Sequence, residues 1–286
     1  MRLLKYIWKN TVLKCLNSKM AVFVILMLVT SHSYLTPLRQ FSMAVNYPVS
    51  WCVFPFAMCS FTYLIMFWFG VIYVNSDVPF MQHVNMYHAI RVGRRYWGLG
   101  QIGGIFLRSL IMVLITIFST ILPLLPKIEW SNEWGKLLRT AATTNALSQY
   151  QSNVVIYSDI FSEYTPLELM VLEILVCTLI CTFVGVLMFF FSLYMNKIIA
   201  VAVGLALAIA LFPVLNMHPL IRYKLAKFIP TVWAELARIA TVDHTYYWLP
   251  SLIYMVLFLL VGTAIMTGFI MYKIRHVEFN WDNEDM

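Results

Sequence analysis

Apolar residues in this chain run in long unbroken blocks rather than alternating with polar ones, and the polar residues gather in the gaps between blocks. Six blocks stand out, at residues 21–35, 51–74, 98–125, 167–194, 198–216 and 249–272. A helix rises about 1.5 Å per residue, so about 20 residues cross a hydrocarbon core of roughly 30 Å. Each block is therefore a candidate span, and the first is the shortest. A transmembrane barrel would instead show alternating segments of about ten residues. The pattern predicts an all-α, polytopic membrane protein: one membrane domain over residues 1–286 with about six transmembrane helices.

Ahead of the first block, residues 1–20 carry Leu4, Ile7, Trp8, Thr11 and Cys15 at helical spacing, with Arg2, Lys5 and Lys9 on another face. This predicts an amphipathic helix lying in the membrane interface. Basic residues recur through the segment and no small-residue cleavage site follows it, which argues against a cleaved signal peptide. Alternating the spans puts both termini, residues 75–97 and residues 196–197 on one side, with Lys and Arg concentrated there. The positive-inside rule makes that side cytoplasmic. The opposite side carries two longer segments. Residues 126–166 are polar and read as a surface loop or small cap, and residues 217–248 mix apolar and basic residues around Pro219 and Pro230. The latter suggest short helices at the interface or dipping into it.

Composition sharpens this picture. Hydrophobic residues make up 61% of the chain and charged residues 12%, with a mean hydropathy of +0.78; soluble domains average about 25% charged residues. The net charge of +7 lies largely near span ends, so it reads as membrane-surface charge contacting lipid, with no nucleic-acid partner. Cys52, Cys59, Cys177 and Cys181 fall inside spans and read as packing residues.

Catalytic signatures fail on context. Gly98, Gly100 and Gly103 match G-x-G-x-x-G but open a span instead of following a strand, so they read as helix-packing glycines. The chain has no P-loop, G-x-S-x-G or H-E-x-x-H sequence and no metal-ligand cluster. It is expected not to be an enzyme and to bind no cofactor itself. His32 stands alone in the first span, as a hydrogen-bonded polar group or a functional one. Arg108 and Glu173 are the costly intramembrane residues, read as an ion pair, a polar cavity lining or, for Arg108, a side chain snorkelling to the interface. Between the second and third spans, Asp77 can cap a helix that presents Phe80, His83, Tyr87, His88 and Arg91 at three-to-four residue spacing and ends at Arg94 and Arg95. That surface suits docking to another protein.

An N-terminal amphipathic helix, six spans, a helical loop at residues 77–95 and outer helices before the last span together resemble the membrane permease subunits of type-2 ABC exporters, in particular bacterial ones of peptide or antibiotic export and resistance. The resemblance implies that residues 77–95 are a coupling helix on a separate nucleotide-binding ATPase, which holds the ATP and Mg. It also implies a second permease subunit, identical or related, in the bacterial plasma membrane. The competing reading is a stand-alone membrane sensor or immunity protein that binds an extracellular peptide through residues 127–166.

Overall fold

In a computed structural model the described residues are Ile7, Trp8, Thr11 and 17–78, 93–150, 153–243 and 246–276. The chain is an all-α, multi-pass membrane protein: five of its helices are long and apolar enough to cross a bilayer. They are α1 (Ser18–Val45), α4 (Arg94–Ile121), α7 (Pro166–Tyr194), the α8–α9 pair (Lys197–Ile209 and Leu211–Asn216) and α11 (Leu252–His276). Strand is confined, among the described residues, to two ladders of two-residue strands, β1 (Val49–Ser50) with β2 (Ile128–Glu129) and β3 (Val242–Asp243) with β4 (Tyr246–Tyr247).

The first two spans differ most from the sequence expectation. The first continues through Pro37 to Val45, ten residues beyond Leu35. Proline removes one intrahelical bond but does not end a helix whose neighbours hold it in place, and Thr36 Oγ1 donates back to the His32 carbonyl at 2.5 Å just before it. The second span, expected as one run, is split into α2 (Phe54–Met58) and α3 (Phe61–Asn75), with residues 59–60 outside either helix. The last span is α11, and its predicted start at residue 249 moves to Leu252.

Lys19 at the start of α1 is bonded to Ser76 Oγ (2.7 Å) and to the Asp77 carboxylate at the end of α3. This defines the near end of the bundle, and the α1–α2 and α4–α7 connections lie at the far end. α7 begins with a capping box, in which Thr165 N donates to Glu168 Oε2 (2.9 Å) and Glu168 N to Thr165 Oγ1, with Pro166 at the first helical position. α7 is the most buried span and packs against α4, α8 and α11. α11 is the least buried and shows Ile253, Val261, Ile265 and Phe269 on its outer surface, as a lipid-facing helix would.

Small residues set the helix approaches. A Cβ on Gly98 would lie 2.7 Å from Ile274 Cδ1 of α11, and one on Gly103 2.6 Å from Ile7 Cδ1. The G-x-G-x-x-G spacing thus serves packing. In the N-terminal segment, Thr11 Oγ1 donates to the Ile7 carbonyl (2.8 Å) and Trp8 is exposed, while Ile7 reaches Gly103. The remaining residues of that segment lie outside the described ones.

At the far end, residues 126–166, read from sequence as a surface loop or small cap, carry α5 (Gly135–Thr143) and α6 (Ile160–Glu163). Trp134 and Phe161 close over Phe56 of α2, and Trp51 stacks on Trp130. After α10 (Pro219–Ala226), the segment from residue 227 goes deeper than a helix lying on the surface. Pro230–Ala234 is a 3₁₀ turn in which every residue is buried. Thr231 accepts from Trp68 Nε1 of α3 (3.2 Å) through its carbonyl and donates its hydroxyl to the Leu207 carbonyl of α8 (2.9 Å). Trp233 packs on Tyr254 and Phe258 of α11. Leu207 is ten residues into α8 from Lys197, about 15 Å from the near end, so this turn is re-entrant, and its polar groups are satisfied inside protein as a bilayer demands.

Candidate functional site

The expected partner-docking segment is described at its two ends. Asp77 is held by Lys19, with Asn17 Nδ2 donating to it at 3.5 Å. Arg94 and Arg95 open α4 on an exposed surface. Phe80, His83, Tyr87, His88 and Arg91 lie outside the described residues. The Lys19 contacts tie the start of α1 mechanically to the mouth of that segment.

Arg108 is buried and donates from Nη2 to Asn75 Oδ1 at 2.5 Å; Asn75 in turn donates to the Val71 carbonyl. Asn75 ends α3 beside Gly185 of α7, where an added Cβ would sit 2.6 Å from Ile105 of α4. That contact sets the antiparallel register: Arg108 is three residues from Ile105, whereas Glu173 is twelve from Gly185. The two charges are therefore offset by about nine residues, roughly 14 Å along the bundle. The structure places Arg108 and Glu173 in separate polar clusters.

Glu173 belongs to the far-end cluster. It is fully buried, and Oε1 accepts from Cys177 Sγ of the next turn (3.2 Å). The turn Leu236–Arg238 packs on α7 there. Glu235, also fully buried, is ion-paired with Arg238 Nη1 (3.1 Å) and accepts from Trp248 Nε1 (3.0 Å), both at Oε2. The guanidinium carbons of Arg222 and Arg238 lie 3.7 and 4.3 Å from the centre of the Trp248 ring. Arg238 Nη2 also donates to the Cys59 carbonyl at 3.0 Å. Residues 59–60 interrupt the second span, so this carbonyl is one a continuous helix would have satisfied; an arginine 179 positions away supplies the donor.

Among the described residues, no three His, Cys, Asp or Glu side chains are placed to hold a metal ion.

The split span opens onto a cleft of about 330 Å³ between α1 and α3, with Ser60 in its wall. Ser33 and Tyr34 of α1, Thr62 and Tyr63 of α3, and Asn153 of the cap also line it. Tyr34 OH donates to the Asn153 carbonyl (2.9 Å), and Ser31 Oγ bonds both Tyr63 OH and Ser119 Oγ at 2.9 Å. From Lys19, Ser33 is 14 residues along α1, and Thr62 is 15 residues before Asp77, each about 21–23 Å from the near end. Both lie within a core of roughly 30 Å. The exposed stripe of α1 starts apolar at Val22, Ile25 and Val29, then turns polar at His32, Ser33 and Gln40. At the level of Ser31, Phe118 and Leu122 of α4 still present apolar surface. A polar helix face at such depth needs water or protein against it, because lipid leaves its groups unsatisfied.

Sequence reasoning isolates His32 but not the stripe, and it misses Glu235, Arg238, Trp248 and the 59–60 break. The break carries no glycine or proline at its centre, although Pro55 sits at the start of α2. No family model matches the chain, and no curated protein or solved structure matches it.

Proposed function

We propose that the chain is the membrane subunit of an ATP-driven exporter of the type-2 ABC kind, moving a peptide, antibiotic or lipid-like molecule out of a bacterial cell. In this reading the near end is cytoplasmic, ATP and Mg are bound by a separate ATPase docked at residues 77–95, and a second permease subunit faces this one across the membrane. The observation that carries the reading is the second span, broken at hydrocarbon depth beside a polar cleft. Irregular backbone is tolerated at that depth where it is buried in protein or lines a cavity, and interrupted helices mark substrate sites in transporters. The Lys19–Asp77 contact supplies a lever, since a push on residues 77–95 reaches the start of α1, whose far half forms one wall of the cleft.

The test is a mild-detergent pull-down from native membranes with mass spectrometry and an ATPase assay. We expect a P-loop ATPase to co-purify, and to be lost when Tyr87, His88 and Arg91 are all changed to alanine. Reproducible absence of any ATPase would overturn the exporter reading. It would favour a stand-alone sensor or immunity protein, for which the far-end cleft of about 470 Å³ bounded by Tyr47, Glu129, Glu133, Lys136 and Arg139 offers a peptide-sized, mixed-charge surface.

A further inference from the structure

We infer that the cleft between α1 and α3 binds an uncharged amphipathic molecule through an amide edge, with an apolar peptide segment as its model ligand. The transport role of such a ligand rests on the exporter reading; the binding itself does not.

Three features of the cleft carry this. Its side chains are hydroxyl, amide, aromatic, thioether and aliphatic, and none is a carboxylate, ammonium or guanidinium. An ionised ligand entering it would lose hydration without a counter-charge, a cost far above that of a hydrogen-bonded neutral group. Second, the cleft holds donors that the protein leaves unused. Thr30 Oγ1, also in the wall, is tied to its own helix at the Leu26 carbonyl (2.8 Å). Ser33 and Thr62 have exposed hydroxyls with no partner among the described residues. Third, a hydroxyl accepts as well as donates. Ser33 thus offers a donor and an acceptor on one wall, and Thr62 offers the same pair opposite.

A secondary amide matches this set: its N–H meets one hydroxyl oxygen and its carbonyl oxygen accepts from the other hydroxyl. The apolar remainder lies along Val29, Met66 and the Tyr34 and Tyr63 rings, which sit 5.8 Å apart by centroid. A carboxylate in the same place would find donors but would bring a charge into a site with no cation.

The experiment uses the full chain in lipid nanodiscs with two fluorescent probes, dansyl-leucyl-leucine amide and its free acid, at pH 7.5, with empty nanodiscs as the blank. We expect the amide to bind at least about tenfold tighter than the acid. Ser33→Ala with Thr62→Ala should weaken the amide about fivefold and leave the acid unchanged. Met66→Trp, which fills the cleft, should abolish amide binding in a monodisperse protein. Equal binding of both probes, or full amide affinity in the filled variant, would overturn the inference. If the amide binds as expected and no ATPase is recovered, the site stands and the exporter reading falls. If an ATPase is recovered and the amide behaves as in empty nanodiscs, the site alone falls.

Discussion

Replacing Arg238 by methionine is expected to destabilise the protein by roughly 3–5 kcal/mol, the range for removing one partner of a buried ion pair. The change leaves the fully buried Glu235 without its ion-pair partner and the Cys59 carbonyl without its donor, and removes one cation from Trp248. The aliphatic stem of methionine keeps most of the packing, so the loss reports polar terms. A drop in Tm on the order of 10 °C follows, measured by the melting of tryptophan fluorescence in detergent. Glu235→Gln in the same background is the discriminating variant. It keeps an acceptor for Trp248 Nε1 and removes the unpaired charge, so the double variant should recover about half of the loss. If the double variant were no more stable than Arg238→Met alone, the cluster would owe its stability to packing and not to charge pairing.

Gly185→Leu is the second large effect. A Cβ at Gly185 would stand 2.6 Å from Ile105 Cγ2 and 3.4 Å from Asn75 Oδ1, so the substitution forces α4 and α7 apart where they pack tightly. Overpacking of this kind costs about 1–3 kcal/mol. Displacing Asn75 also breaks the bond from Arg108, a charged hydrogen bond worth about 1.5–3 kcal/mol. The control is Gly268→Leu on α11, where nothing stands within 4 Å of the new Cβ and the expected change is within about 0.5 kcal/mol. Equal destabilisation by the two would show that α4 and α7 can separate without cost, contrary to a register fixed by the Gly185–Ile105 contact.

These two sites join the re-entrant turn to the broken span and α4 to α3 and α7. They lie on either side of the α1–α3 cleft along the bundle axis, with Arg238 at its far end through Cys59 and Ser60, and Asn75 toward the near end. A substitution at either should therefore change binding in the cleft as well as stability.

The sequence by itself determined the class of the protein, the approximate place of each crossing and the role of the glycines at the start of α4. The reason is local: in hydrocarbon every backbone group must be satisfied within its own segment, so a run of about 20 apolar residues has little choice but helix. The ends of α7 and α11 fell within a few residues of their sequence positions for that reason. Pattern alone could not locate the break at residues 59–60. Its apolar residues read as one continuous span, and its spare carbonyl is satisfied by Arg238, far away in a segment that sequence placed at the interface or dipping into it. Nor could it separate Arg108 from Glu173, because a costly charge announces that it needs a partner without saying which. Only the register of α4 on α7 and the insertion of residues 230–238 decided that Arg108 meets Asn75 while Glu173 joins the cluster of Glu235, Arg238 and Trp248. These contacts span long sequence separations, and packing, not helix propensity, selects among them.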